Sequence, residues 1–364
     1  MPLRHLGTAQ DNPLPIPPTT WKAPLAMIQS PLPYGTPDLD PNIERVPGPP
    51  KQVRCFVRGC TQFVEPGRDP GCPRHGIRCH DSTSTTYSYV DPSRNAFAGA
   101  ELFGRRLLGH PDKHDTSKMG YENSEDALSW NVFRSFQEAG ALGALATAVF
   151  GLPASGEPQL YLWGLKLTDD SLSLWPLLFR ARRQFESKLP VRRPPTEPDI
   201  ALYVPGQYLA LIEAKFTSAN TDCEAGRPRR DSESLTFEEL LSIYWDSSLR
   251  ILDLAKAKSG TRLYYQLWRN LVFAEWMSQQ DSPTAQAYHF NLVRHVAEED
   301  SAAEFAELLH GAFRDRFRRV TWESIYQFAK RSGPQLARLC TYLETKTAKL
   351  RKAFQIPGQD SATA

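Results

Sequence analysis

The 364-residue chain has no long apolar run, no excess of one charge sign and few cysteines. A membrane-spanning helix needs about 18 or more consecutive apolar residues, so none is predicted. The opening Met-Pro-Leu-Arg-His also lacks the apolar core of a secretory signal. A soluble, cytoplasmic protein is expected. Lys+Arg 43 against Asp+Glu 41 leaves a net charge of +2, which excludes a histone-like polycation. Any basic binding surface must therefore be local. The composition that remains is globular: 41% hydrophobic residues and 8 Trp can build a sizeable core, within one large domain or two ordinary ones.

What is present is unevenly spread. Thirteen of the 30 Pro fall in residues 1–50. Pro13, Pro15, Pro17 and Pro18 favour polyproline geometry there, and each disfavours helix at the residue before it. This arm carries Trp21, Leu25, Met27, Ile28 and Tyr34, so it either lies against the body in places or stays disordered. Residues 51–118 form a Cys/His-rich module, and residues 119–300 read as the core. There, Ser124 or Asn123 can cap a helix whose Leu128, Val132 and Phe136 make one buried stripe ending near Gly140. Further helices are predicted at Ala141–Phe150, from Thr168 to about Phe185, at Leu249–Lys258 and at Thr261–Met277. A Thr236–Glu239 capping box opens one more. Strands are predicted at Gln159–Leu167, Ile200–Val204, Tyr208–Phe216 and Tyr288–His295. Residues 301–364 read as a C-terminal extension: helices at Glu304–Phe313, Trp322–Ala329 and Gln335–Phe354, with a short strand near Phe317–Thr321. Alternating helices and strands predict an α/β body.

The chemistry concentrates in one hairpin, running from Glu197-Pro198-Asp199 to Glu213-Ala214-Lys215 through the turn Pro205-Gly206. A two- or three-residue loop sets Asp199 opposite Ile212 or Glu213. Strand side chains alternate, so Glu213 and Lys215 share a face. The run Leu209-Ala210-Leu211-Ile212 reads as a strand covered on both sides. Charges at its end are costly unless paired or bound to metal. Two carboxylates suit Mg²⁺ or Mn²⁺, and such an ion polarises phosphorus and acidifies its water. The parts fit metal-dependent phosphodiester hydrolysis; a surface salt-bridge trio is the plain alternative.

Pro-Asp, thirteen intervening residues, then Glu-x-Lys resembles the PD-(D/E)XK nuclease superfamily over roughly Glu122–His295. The resemblance implies a restriction-endonuclease-like mixed central sheet flanked by helices, and Mg²⁺-dependent cleavage of DNA, less often RNA. Asp199 and Glu213 would hold the metal, with the Ala214 carbonyl as a further ligand, and Lys215 would position the attacking water. Glu125 matches the acid that many members carry on the first core helix, and would hold the metal directly or through water. Gln266 matches a later helical Gln, expected to orient Lys215 or a phosphate. In the Gln-x-x-x-Tyr version of that motif, Asn270 stands where the Tyr would be. A nuclease fold that has lost activity is the other outcome of the same resemblance.

Cys55-x4-Cys60-x11-Cys72-x2-His75 has the two-pair layout of a small zinc-ribbon-like module. Cys55, Cys60, Cys72 and His75 are the expected Zn²⁺ ligands, with Cys79 or His80 as substitutes. Unliganded thiols or a redox pair are the alternatives. Three basic clusters can meet phosphates, or can simply be solvated faces. Arg180, Arg182, Arg183, Lys188, Arg192 and Arg193 form the first. Arg227, Arg229 and Arg230 form the second, in a long loop, Thr217–Ser234, that could also be a lid. Arg314, Arg316, Arg318 and Arg319 form the third. The reading is a DNA endonuclease of prokaryotic restriction or antiviral defence, acting on nucleic acid as a homodimer or beside a defence partner protein, with no membrane. The alternatives are an inactive nuclease-fold adaptor and an RNase or structure-specific nuclease.

Overall fold

The computed structural model describes residues 39, 49, 51–80, 85–108, 110, 113, 116, 118–154, 156–168, 171–187, 195–220, 222–223, 237–244, 248, 250–259, 263–295 and 299–354. Most of the Pro-rich arm and Thr236 of the expected capping box lie outside the described residues. Leu39 of the arm is described: it is buried and bridges to Val57.

Near the N-terminus, β1 (Val53–Arg54) pairs with β2 (Phe63–Val64), and β3 (Ile77–His80) with β4 (Thr86–Tyr89), both antiparallel. Helical turns at Ala100–Leu107 follow. The stripe at Leu128, Val132 and Phe136 is fully buried on α1 (Glu125–Glu138). Ser124 caps this helix by accepting from the Ala127 amide at 3.1 Å. It ends where Gly140 takes φ +60°, a conformation open to glycine without a Cβ penalty. The short α2 (Leu142–Ala148) follows.

The central sheet has seven strands. The stretch expected as one strand over Gln159–Leu167 is two: β5 (Gln159–Leu162) and β6 (Leu165–Leu167). Trp163 and Gly164 both have positive φ, 54° and 85°, as a tight two-residue hairpin turn requires. A Cβ on Gly164 would meet Leu178 Cδ2 at 2.4 Å. The helix expected from Thr168 starts later. Leu172–Leu174 instead forms β7 on the sheet edge, and α3 (Pro176–Glu186) begins with proline at its first position, where a missing amide hydrogen costs nothing.

β8 (Ile200–Val204) and β9 (Tyr208–Ala214) are antiparallel through a three-residue loop, with Ile200 facing Ile212 and Val204 facing Tyr208. Every residue of both strands is buried. The expected helix at Leu249–Lys258 is Leu254–Ser259. The helix expected from Thr261 begins after a two-residue strand (Leu263–Tyr264), as α4 (Tyr265–Asp281). That helix carries the chain across to β10 (Gln286–Val293), which runs parallel to β9. Parallel neighbours need such a crossover.

The helix expected over Glu304–Phe313 is divided into Glu299–Glu307 and Gly311–Arg314. Beyond residue 300 the chain still feeds the sheet: β11 (Phe317–Thr321) adds parallel to β10. α5 (Trp322–Arg331) and α6 (Ala337–Thr345) follow. The helix expected to run on to Phe354 stops at Thr345, because Lys349 and Leu350 adopt φ 52° and 61° and turn Thr347–Ala348 back on Arg351–Lys352. One apolar layer, with α1, α2, α5 and α6, covers one face of the sheet; a second, with α3 and α4, covers the other. The body is thus a mixed seven-stranded sheet between helices, as expected, with small N-terminal sheets attached. Among the described residues, no helix is long and apolar enough to cross a membrane.

Candidate active site and metal centre

Alternation along β8 and β9 decides which groups meet. Ile200, Leu202, Ala210, Ile212 and Ala214 belong to one layer, and Ala201, Tyr203, Leu209 and Leu211 to the other. Asp199, Glu213 and Lys215 continue the second set, so they lie on the α4 side of the sheet. The observed register, extended one step, sets Asp199 beside Glu213. Asp199 Oδ2 accepts from the Ala214 amide at 2.8 Å. Lys215 Nζ lies 2.7 Å from Glu213 Oε1, and both side chains are buried, at 8% and 4% exposure. Asn270 donates to Glu213 Oε2 at 2.7 Å, so neither oxygen of that carboxylate is unpartnered. Gln266 is half-buried on α4, one turn before Asn270 and on the same helix face.

The electrostatics follow from this packing. Loss of solvent, then repulsion from Glu213, hold the Asp199 carboxyl well above the ordinary range. Burial opposes ionisation of Glu213 too, but the Lys215 ammonium outweighs it and holds that carboxyl low. Burial alone would lower Lys215; Glu213 and Asp199 raise it instead, so it stays charged. Two adjacent carboxylates strained in this way are relieved by a further cation. The donor set of Asp199 and Glu213 is oxygen only, which fits Mg²⁺ or Mn²⁺. Among the described residues, however, three or more metal-ligating side chains converge only at the Cys/His cluster.

Glu125 does not join Asp199 and Glu213 directly. From the N-terminus of α1 its Oε1 accepts from the Phe216, Thr217 and Ser218 amides, at 2.8, 3.3 and 3.2 Å, and from Ser218 Oγ at 2.7 Å. It fastens the segment that leaves β9. Its neighbour Asp126 was missed by sequence reasoning and reaches closer groups. Oδ1 accepts from Trp163 Nε1 at 2.7 Å, and Oδ2 lies 3.1 Å from Lys113 Nζ. That ammonium is also 3.4 Å from Glu197 Oε2 and 4.9 Å above the Trp163 ring. Adjacent acids at a helix start gave a signal for Asp126, as did the Glu-Pro-Asp triplet for Glu197. Lys113, among glycines, prolines and histidines, gave none.

Of the basic clusters, Arg180 and Arg183 are exposed on α3. Arg182 donates to the Thr196 carbonyl at 2.8 Å, and Glu186, one turn on, accepts from the Thr196 amide at 2.9 Å. That pair anchors the strand that delivers Asp199. Lys188, Arg192, Arg193, Arg227, Arg229 and Arg230 lie outside the described residues. In the third cluster, Arg314 and Arg319 donate to carbonyls at 3.2 and 2.9 Å.

Ligand atoms of Cys55, Cys60, Cys72 and His75 all lie within 4.8 Å of one another. His75 Nδ1 is 3.4 Å from both Cys55 Sγ and Cys72 Sγ, and Cys60 Sγ is 3.9 Å from Cys72 Sγ. A tetrahedral zinc with Zn–S near 2.3 Å needs sulfur–sulfur edges of about 3.8 Å, so the cluster fits the ion. Burial, with Arg74 and Arg94 nearby, lowers the His75 pKa and keeps the imidazole in its ligating neutral form. The bond to Cys55, then burial, push the Cys72 thiol up, a cost that a bound cation reverses. His80 is engaged elsewhere, 2.8 Å from Ser88 Oγ and stacked on Tyr121. Cys79 is buried beside the cluster but outside the four.

Residues 183–346 match the family described as Restriction Endonuclease associating with ARP. The matched stretch holds β8, β9, α4, β10 and β11, and with them Asp199, Glu213, Lys215 and Gln266. No curated protein and no solved structure matches the chain.

Proposed function

We propose that the chain is a metal-dependent nuclease that hydrolyses phosphodiester bonds, most simply a cytoplasmic DNA endonuclease of restriction or defence type. The observation that carries this reading is the meeting of Asp199, Glu213 and Lys215 on one face at the end of the central sheet. The match to a family of restriction endonucleases supports it. That family's description also suggests association with ARP as the partner relationship for this chain.

In this reading Asp199 and Glu213 hold the cation. When bound, Mg²⁺ or Mn²⁺ supplies Lewis acidity at phosphorus and a more acidic water. Lys215, kept protonated by its carboxylates, orients the attacking water and stabilises charge on the phosphoryl oxygens. Asn270 fixes the Glu213 carboxylate, and Gln266 is placed to orient Lys215 or a phosphate. Glu125 holds the segment after β9, and Asp126 borders the site. Exposed Arg180 and Arg183 are proposed phosphate contacts, together with Arg227, Arg229 and Arg230. The Cys55, Cys60, Cys72 and His75 cluster is a structural zinc site.

The test is a cleavage panel. Plasmid, linear duplex, single-stranded and branched DNA, and RNA, are incubated with the protein and Mg²⁺ or Mn²⁺. Metal-dependent cleavage lost in Lys215→Ala is expected, and the substrate ranking separates DNA endonuclease from RNase or structure-specific nuclease. Cleavage unchanged by Lys215→Ala would overturn the assignment. A second reading, an inactive nuclease-fold adaptor, draws on the complete engagement of Glu213 by Lys215 and Asn270. It expects nucleic-acid binding that survives Asp199→Ala, with no turnover.

A further inference from the structure

Lys113 occupies a place beside the carboxylate site that the proposed mechanism does not use. Its side chain is 4% exposed, and its ammonium sits 3.1 Å from Asp126 Oδ2 and 3.4 Å from Glu197 Oε2. The Trp163 ring lies beneath it at 4.9 Å. Asp126 cannot turn toward another ion without breaking two contacts, because Oδ1 is held by Trp163 Nε1 at 2.7 Å.

These groups border the same site: Trp163, whose ring lies under Lys113, donates its backbone amide to the Asp199 carbonyl at 3.3 Å, and Glu197 precedes Asp199 by two residues. Lys113 is stabilised in its charged form by Asp126, Glu197 and Asp199, against a burial that would discharge it. Without the ammonium, Asp126 and Glu197 would be a second pair of oxygen donors next to Asp199, the donor chemistry that takes a second Mg²⁺ or Mn²⁺. With it, that position already holds a cation, packed on an aromatic face and shielded from water.

We propose that Lys113 is a positioning residue that fills the second cation position, so that the site takes one divalent ion, at Asp199 and Glu213, and not two. The proposal rests on the metal-site reading above. It assigns Asp126 and Glu197 to the lysine instead of to a metal, and it makes Lys113 the determinant of metal stoichiometry.

The experiment counts bound Mn²⁺ on the full, zinc-loaded chain, from the loss of the free-ion electron paramagnetic resonance signal during titration. Wild type is expected to bind about one Mn²⁺ per chain with the affinity of a carboxylate site, and Asp199→Asn to lose it. Lys113→Gln is expected to bind about two, and Lys113→Arg, which keeps the charge, about one. Two ions on wild type, or one on folded Lys113→Gln, overturns the proposal. Two ions on wild type or on Lys113→Arg overturn the proposal even where Lys113→Gln fails to fold. No Mn²⁺ on any variant overturns the metal-site reading itself and this proposal with it.

Discussion

Asn270 donates to Glu213 Oε2 at 2.7 Å, from a position one helical turn after Gln266. The carboxylate is thereby clamped between an amide on α4 and the Lys215 ammonium just past the end of its own strand. In the proposed function Glu213 ligates the cation; the loss of an outer partner that orients such a ligand typically costs 10–100-fold in affinity or activity (about 1.4–2.7 kcal/mol). Asn270→Ala is therefore expected to lower single-turnover cleavage by roughly that factor. A mutant that cleaves at the wild-type rate would remove Asn270 from the machinery.

For Glu125, a role as metal ligand and a role as structural acceptor differ in what they need from the side chain. As a metal ligand it would need its negative charge; as the acceptor for three amides and a hydroxyl after β9 it needs mainly an oxygen. Glu125→Gln keeps that oxygen, and Glu125→Ala removes it. We expect Glu125→Gln to retain most cleavage and Mn²⁺ affinity, and Glu125→Ala to lose about 1–3 kcal/mol of stability through unsatisfied amides. Equal loss of Mn²⁺ affinity in both variants, measured by titration, would restore Glu125 as a ligand.

Much of the site was legible because strand alternation is a rigid rule. Once Pro205-Gly206 marks the hairpin, the facing of Asp199, Glu213 and Lys215 follows from parity, and a three-residue loop fixes the register. The Cys/His spacing worked in the same way, since ligand pairs close in sequence are close in space. What could not be read depends on tertiary context. Trp163 breaks a run that looks like one strand only because its backbone takes a positive φ. Lys113 enters the site from a stretch with no periodicity at all. The exchange of Tyr for Asn270 looked like a departure from the family pattern, yet the shorter amide is the group that reaches Glu213.

As the proposed zinc site, the Cys/His cluster would tie the N-terminal module together. Its thiols sit in an apolar group with Phe56, Ile77, Tyr87 and Leu350, too few residues to make an independent core. Bound zinc is then folding free energy for the module. We expect purified protein to carry about one zinc per chain, and Cys72→Ser to carry almost none, with a lower and broader thermal transition. Because His80 is committed to Ser88 and Tyr121, His80→Ala should keep its zinc. Metal analysis by mass spectrometry checks both, and full zinc in Cys72→Ser would refute the ligand set.

Lys346 is buried among Glu122, Phe216 and Tyr342 at an energetic cost that pH can expose. Its ammonium is buried, donates to the Glu122 carbonyl and lies 5.5 Å from the Tyr342 ring centre and 5.7 Å from that of Phe216. Glu122 meanwhile accepts from Thr86 Oγ1 and the Leu350 amide at 2.9 and 3.0 Å. Burial lowers Lys346 from 10.5 to about 8, although Glu122 pulls the other way. Between those two values the unfolded chain binds more protons at this site than the folded one, so stability rises with pH across the window. Below the folded value both states are protonated, and the full penalty is present. A shift of this size corresponds to about 3 kcal/mol. Lys346→Met removes the titration, so the stability of wild type relative to Lys346→Met should climb by about that amount from pH 8 to pH 10.5. Denaturant unfolding of both proteins at matched pH measures the difference. A flat difference across that range would mean that Lys346 titrates in the folded protein as it does in the open chain.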